Sequence, residues 1–190
     1  MLKLFILSFT ILLMSGCVTA PKPQANMKTK VKTETVEKTV KKNSELQKPV
    51  VHKMFQSVNK KEAILIQQGA NKEHCAICGM NLVKYYKTNH AAKLNGKNIQ
   101  YCSIHCLTEH INEGAELENP MVVDVKTLKF IPVTEAFYVV GSDVQGTMTK
   151  VSKYAFKSLA DAKAFQKKHG GKILDFYSAW QIAKKDFNTK

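Results

Sequence analysis

The chain has 190 residues, 44% of them hydrophobic and 23% charged, and its formal net charge is +14. Half of that excess lies in one segment, because residues 18–60 hold ten lysines against three glutamates. The rest has no basic patch interleaved with aromatic residues, which argues against nucleic-acid binding and leaves solubility and weak attraction to an anionic membrane surface as the meaning of the lysines.

The first sixteen residues have the pattern of an export signal. Lys3 precedes an apolar run over residues 4–14, and Ser15-Gly16 supplies the small residues of a cleavage site. The run is shorter than the roughly 20 apolar residues of a spanning helix. With Cys17 it resembles the lipobox of bacterial lipoproteins, in which the cysteine is acylated. We therefore predict a signal peptide over residues 1–16, a palmitoylated Cys17 and a lipid anchor on the periplasmic side of the cell membrane or the outer membrane.

Residues 17–60 have the composition of a disordered tether. They contain three prolines, repeated Lys, Thr, Val and Glu, and few large apolar side chains. Such a segment buries too little surface to offset the entropy of ordering. The sequence therefore predicts one folded domain over residues 61–190, and function is to be sought there.

A cysteine-rich unit follows a short apolar element at residues 62–69. Cys75-x-x-Cys78 comes first, and Asn95-Gly96 then marks a tight hairpin turn between two strands. The second strand ends at Cys102, and Ser103 offers a cap for a helix over residues 104–112 that carries Cys106 in its first turn. A knuckle, a hairpin and a helix in this order are the arrangement of a treble-clef metal knuckle.

The second half repeats the alternation of short strands and helices. Residues 122–125 and 128–131 read as a hairpin pair, 136–142 as a buried strand and 154–156 as another. Ser158 opens a helix that ends at His169-Gly170-Gly171, and a short strand and a last amphipathic helix over residues 178–187 follow. The predicted fold class is α+β, with two small antiparallel strand/helix units of which the first has a treble-clef-like cysteine knuckle.

Three chemistries compete for Cys75, Cys78, Cys102 and Cys106. Exported proteins often join an even number of cysteines as disulfides. A Cys-x-x-Cys pair can also be a redox centre, but Gly79 follows directly where such a pair normally opens a helix. Cys-x-x-Cys with Cys-x-x-x-Cys at a helix start is a strong spacing for tetrahedral metal coordination. Metal binding therefore explains more of the pattern than the other two.

Two methionines bear on which metal it is. Met80 lies two residues after Cys78, and Met148 lies in a Gly-containing loop. A thioether is not a zinc ligand but suits Cu(I), although a single methionine is more often core filling. Cu(I) is the predicted cargo and Zn(II) the alternative. His105 and His110 are expected on the exposed side of the helix, and His90 is open to either a core or a ligand role.

Several of these pieces occur in the order typical of one family. Cys75-x-x-Cys78-Gly79-Met80, Tyr101-Cys102-Ser103-x-x-Cys106, Ala136–Ser142 and Gly146-Thr147-Met148 resemble the NosL family, and the match extends from Glu73 to Phe176. Thr147-Met148-Thr149 stands where members often have Gly-Met-Gly, and many members lack the second cysteine pair.

The resemblance implies a copper-binding lipoprotein on the periplasmic side of a membrane. The best-known members bind Cu(I) and assist copper delivery to nitrous oxide reductase, which makes Cys78, Met80 and Met148 the implied soft ligands. We expect a non-enzymatic metallochaperone whose partner is a copper enzyme or copper transporter of the cell envelope and which is able to form a homodimer. The alternatives are a zinc-knuckle protein-interaction module and an envelope thiol–disulfide protein.

Overall fold

The computed structural model describes residues 54–187, where short strands alternate with α-helices. The strands are β1 (His90–Leu94), β2 (Lys97–Tyr101), β3 (Glu118–Val123), β4 (Phe130–Pro132), β5 (Phe137–Val140), β6 (Lys153–Phe156) and β7 (Lys172–Leu174). The helices are α1 (Ile104–Asn112), α2 (Leu159–His169) and α3 (Phe176–Lys185). Strands pair antiparallel within two small sheets, which confirms the predicted α+β class. The predicted signal peptide, Cys17 and most of the predicted tether lie outside the described residues.

The first sheet has the order β2-β1-β3-β4 and grows from the predicted hairpin. Asn95 and Gly96 both have positive φ, 49° and 75°, as a two-residue turn of the I′ type requires, and Leu94 pairs with Lys97. The β3–β4 hairpin also forms, with Val122 opposite Ile131. It joins this sheet through β1 instead of the second unit, because the pairing buries Val122 beside His90.

The second sheet has the order β6-β5-β7 and is followed along the chain by the capped helices. Ser158 begins α2, since its hydroxyl accepts hydrogen bonds from the backbone N–H groups of Ala160 and Asp161. Asp175 caps α3 in the same way, so this helix starts at Phe176, two residues earlier than predicted. Ser103 occupies the N-cap position of α1 as predicted, but its side chain makes no capping hydrogen bond.

A continuous apolar core joins the two sheets with α1 and α3. Its members are fully or almost fully buried and include Leu82, Tyr101, Ile104, Leu107, Val122, Tyr138, Ala179 and Ala183. Cys75, Cys102 and Cys106 belong to the same cluster. The candidate metal ligands therefore lie within the main core, and their positions are fixed by its packing.

Residues 54–60 pack onto the domain, whereas the predicted tether extended to residue 60. The Gln56 side chain is buried and its amide donates a hydrogen bond of 2.6 Å to the carbonyl of Gln145, and Val58 is also buried. Phe55 lies against Tyr154 and Phe165, with ring centroids 5.2 and 5.6 Å away. Three apolar or amide side chains thus order a segment whose composition predicts disorder.

Within residues 54–187, none of the helices combines the length and the apolar character that a membrane-spanning helix needs.

Candidate metal centre

Cys75 and Cys78 lie in a tight turn that the chain closes by backbone hydrogen bonds. The N–H of Cys75 donates to the carbonyl of Met80 at 2.8 Å, and the N–H of Gly79 donates to the carbonyl of Cys75 at 3.0 Å. Gly79 has a φ of 73°, which favours glycine. The β-bridge between His74 and Asn81 holds the two ends of the turn together. The turn therefore places both sulfurs on one compact knuckle.

Cys102 and Cys106 come from the junction of β2 and α1. Cys102 directly follows the last residue of β2, and Cys106 lies in the first turn of α1. The positive end of the helix dipole favours a thiolate at this place. The N–H of Ala76 donates to the carbonyl of Gln100 at 3.1 Å, which fastens the knuckle beside β2. The two cysteine pairs are therefore brought together by the sheet itself.

The four sulfurs form one cluster in which all lie within 4.8 Å of one another. Cys78 Sγ is 3.5 Å from Cys102 Sγ, and Cys102 Sγ is 3.7 Å from Cys106 Sγ. Disulfide sulfurs are about 2.05 Å apart, so these are free thiols. Four sulfurs around an ion at bond lengths of about 2.3 Å would lie about 3.8 Å apart. The donor set thus fits a single soft ion without large movement.

Accessibility divides the cluster. Cys75, Cys102 and Cys106 are buried, and Cys78 is the most accessible of the four. A cleft of about 540 Å³ opens beside the knuckle and is lined by His74, Cys75 and Gly79 among others. A ligand from another molecule therefore has a route to the cluster on the side of the knuckle.

The electrostatics of the cluster call for a cation. Hydrogen bonds from the Cys102 and Cys106 thiols lower the pKa of Cys75. The hydrogen bonds of Cys106 to Cys102 and Cys75, together with burial, raise the pKa of Cys106. A hydrogen bond with Cys106 lowers the pKa of Cys102. The hydrogen bond with Cys75, burial and the negative charges of Cys75 and Cys78 outweigh it, so the pKa of Cys102 is raised overall. Several thiolates can coexist here only when a positive ion offsets their repulsion.

The two predicted methionine ligands lie in different surroundings. Met80 is half-buried and packs against the core cluster that contains the buried cysteines. Met148 is 43% exposed and lines a cavity of about 430 Å³ together with His105, the residue before Cys106. The structure thus gathers the four cysteines with Met80 on the knuckle and places Met148 on a neighbouring surface. Ligation of a metal by any of these residues stays a prediction, and Cys17 lies outside the described residues.

The histidines behave differently from what the helix pattern suggests. His105 and His110 are half-buried. The His105 ring is stacked on Phe187 at 4.2 Å between centroids, and His110 Nδ1 lies 2.9 Å from the Tyr101 hydroxyl.

His90, in β1, is fully buried. Its Nδ1 lies 3.1 Å from the carbonyl of Thr88, and its Nε2 lies 3.1 Å from the Tyr138 hydroxyl. His90 is therefore a core residue, and burial lowers its pKa to about 4.

A buried threonine network beside the cysteines was not predicted from the sequence. The Thr88 hydroxyl contacts the carbonyl of Cys102 and the hydroxyl of Thr147, both at 2.8 Å. Thr147 is 59 residues away along the chain and precedes Met148. Buried threonines leave no hydrophobic periodicity in a sequence. Only the Thr-Met-Thr sequence around Met148 could have indicated this network.

Comparisons with known proteins match a protein family and a solved structure. The family model NosL matches residues 67–181, more than half of the chain, and the predicted resemblance lies inside that range. A comparison with curated proteins finds no match. Among solved structures, the crystal structure of the copper chaperone NosL from Shewanella denitrificans is similar over 58% of this chain and 93% of that chain, with 23% sequence identity and a TM-score of 0.47.

Proposed function

The chain belongs to the NosL family, and from this premise we propose that it is a metallochaperone that binds Cu(I) and passes it to another protein. The observation that carries the proposal is the cluster of four free thiols within 4.8 Å, with a thioether two residues from its most accessible member. Thiolate and thioether sulfur are the ligands that Cu(I) prefers. The role requires no chemical turnover, so the protein is not proposed to be an enzyme.

The division between buried and accessible sulfurs supports transfer of the ion. Three buried cysteines can retain a soft ion, while Cys78 faces the side that a partner can approach. A sulfur ligand of the receiving protein would replace Cys78 first, and the ion would move through intermediates in which both proteins share it. The receiving protein is proposed to be a copper enzyme of the cell envelope, such as nitrous oxide reductase, or a copper transporter.

The proposed location follows from the first seventeen residues. The lipobox-like run before Cys17 would give a lipid anchor after export, and the lysine-rich tether would let the domain move away from the membrane. Over about forty residues, the reach of a flexible chain is roughly 5–6 Å times the square root of its length, some tens of Å. A chaperone at the periplasmic face could thus reach partners in or near the same membrane.

The experiment compares two metals in methionine variants. If Met80 and Met148 are ligands, Met→Leu should weaken Cu(I) binding tenfold or more, about 1.4 kcal/mol, with Zn(II) binding little changed. Leucine nearly conserves the volume of methionine, so a packing role predicts small changes for both metals. Affinity is measured by competition with a chromophoric Cu(I) chelator under reducing conditions. Wild-type affinity in both variants would leave the cysteines as the whole site.

A second candidate function is favoured by the sulfur geometry alone. Separations of 3.5 and 3.7 Å are close to the edge of a tetrahedral four-thiolate site, which is the geometry of structural zinc. In that case the knuckle would stabilise a protein-interaction module and would not release its ion. The two functions differ in exchange: a chaperone passes Cu(I) to a competing thiol, whereas a structural zinc site retains its metal.

A further inference from the structure

Met148 has an unusual backbone conformation. Its φ is 61°, in the left-handed region that residues other than glycine rarely adopt. Its side chain is nevertheless 43% exposed and lines the cavity beside His105. An unfavourable conformation of this kind persists only when the surroundings hold it. Contacts made by the residues on either side of Met148 hold the loop of residues 146–151, here called the Met148 loop.

Thr147 fastens the first side of this loop to the cysteine cluster. Its side chain is buried, and its hydroxyl lies 2.8 Å from the hydroxyl of Thr88. The Thr88 hydroxyl is the donor toward Thr147, and it also lies 2.9 and 2.8 Å from the carbonyl oxygens of Tyr85 and Cys102, which share its single hydrogen. Contacts through the Thr88 hydroxyl thus connect the residue before Met148 with the backbone of Cys102.

Thr149 fastens the other side to the end of α3. Its hydroxyl donates to a carboxylate oxygen of Asp186 at 2.6 Å. The buried ammonium of Lys153 donates to the same carboxylate oxygen at 3.0 Å, to Thr149 at 3.2 Å and to the carbonyl of Val151 at 2.9 Å. All three N–H groups of this lysine thus have acceptors, so the pair is satisfied despite its burial.

The loop also leaves little space for another shape. A Cβ on Gly146 would lie 2.8 Å from the carbonyl oxygen of Thr149 and 3.1 Å from the Cα of Ser152, because the loop folds closely upon itself. Both neighbours of Met148 are therefore bonded to other parts of the protein, while Met148 itself projects into the cavity.

We propose that Thr147 and Thr149 are positioning residues that hold Met148 in place as a ligand for the metal cargo. The inference rests on the proposed function, since it presumes a soft ion at this surface. The two threonines act through Met148 and do not touch the ion themselves. The path through Thr88 sets the position of the thioether relative to Cys102, so the two halves of the chain present their sulfurs in a fixed relation.

The test is a double-mutant cycle in the full-length chain. Thr147→Val and Thr149→Val remove one hydroxyl each at nearly constant volume, and each is combined with Met148→Leu. Cu(I) affinity is measured by chelator competition, and the thermal unfolding of the metal-free protein is recorded for every variant. Thr127→Val is the matched control, because its hydroxyl also donates to an aspartate, Asp124, away from the loop.

The expected loss of Cu(I) affinity is roughly threefold to tenfold for each single threonine variant, the size of one lost hydrogen bond. Thr147→Ser restores the affinity because it keeps the hydroxyl, and Thr127→Val leaves it unchanged. In the Met148→Leu background the threonine variants have no further effect. The changes in unfolding temperature, in contrast, are the same in both backgrounds.

Equal losses of affinity with and without Met148 would overturn the inference, since the threonines would then act through Cys102 or through stability. Unchanged affinity in Thr147→Val, in Thr149→Val or in Met148→Leu would also overturn it, while Cu(I) binding by the wild type would leave the proposed function standing. Failure of the wild type to compete for Cu(I) at all would refute the proposed function itself.

Discussion

The buried His90 makes the stability of the domain depend on pH. Its ring is 1% exposed, stacked on Tyr138, and bonded through both nitrogens to neutral groups, the carbonyl of Thr88 and the hydroxyl of Tyr138. With these partners the neutral ring satisfies both contacts, whereas a protonated ring would face the tyrosine hydroxyl with a second donor. His90→Gln removes the titration while keeping a donor and an acceptor in the side chain.

The lowered pKa of His90 sets how much the free energy of unfolding changes with pH. Burial lowers the pKa of His90 from 6.5 to about 4, although the Thr88 carbonyl raises it slightly. The unfolded chain therefore binds a proton between pH 6.5 and pH 4 that the folded chain does not, so stability falls as the pH is lowered through this window. A difference of about 2.5 pKa units corresponds to about 3 kcal/mol. This contribution is fully present above pH 6.5.

The assay is urea unfolding of the reduced, chelator-treated full-length protein between pH 7.5 and pH 4. Because acidification also acts on the rest of the protein, the informative quantity is the difference between the wild type and His90→Gln. We expect the free energy of unfolding of the wild type to fall by about 3 kcal/mol more than that of the variant. Parallel pH profiles would refute the reasoning, since they would mean that His90 is protonated as readily in the folded state as in the unfolded state.

Further predictions concern the anchor and the close approach of a glycine. Cys17→Ser should block processing or release the protein from membranes, which fractionation and lipid labelling detect; unchanged labelling would contradict it. Gly171→Ala should lower the free energy of unfolding by clearly more than Gly96→Ala, whose open position costs about 1 kcal/mol for the left-handed backbone alone. The excess arises because a Cβ on Gly171 would lie 2.8 Å from the carbonyl oxygen of Val140. Equal losses in urea unfolding would show that the backbone yields at this contact.

Features that depend on neighbouring residues could be predicted from the sequence. The Asn95-Gly96 turn, the helix after Ser103 and the cap at Ser158 each require only a few consecutive residues, and the structure has all three in place. The four cysteines could also be predicted to meet, because their spacing matches a knuckle and a helix start. Their gathering within 4.8 Å agrees with that expectation.

Features that depend on contacts between distant residues could not be predicted from the sequence. The pairing of β3 with β1 and the hydrogen bond from Gln56 to Gln145 join parts of the chain that share no local pattern. The burial of His90 depends on Tyr138, 48 residues away, and no periodicity in the sequence marks this pair. The contacts of Thr147 and Thr149 likewise depend on Thr88 and Asp186, so the sequence alone indicates only a loop around Met148.

The central claim is that the cysteine cluster carries copper as exchangeable cargo. It is tested most directly by the metal content and free-thiol count of the full-length protein isolated from its own cells without added metal. The proposed function predicts about one copper ion per chain and, once the metal is removed, free thiols at Cys75, Cys78, Cys102 and Cys106. Zinc without copper, or disulfides in place of the thiols, would contradict it.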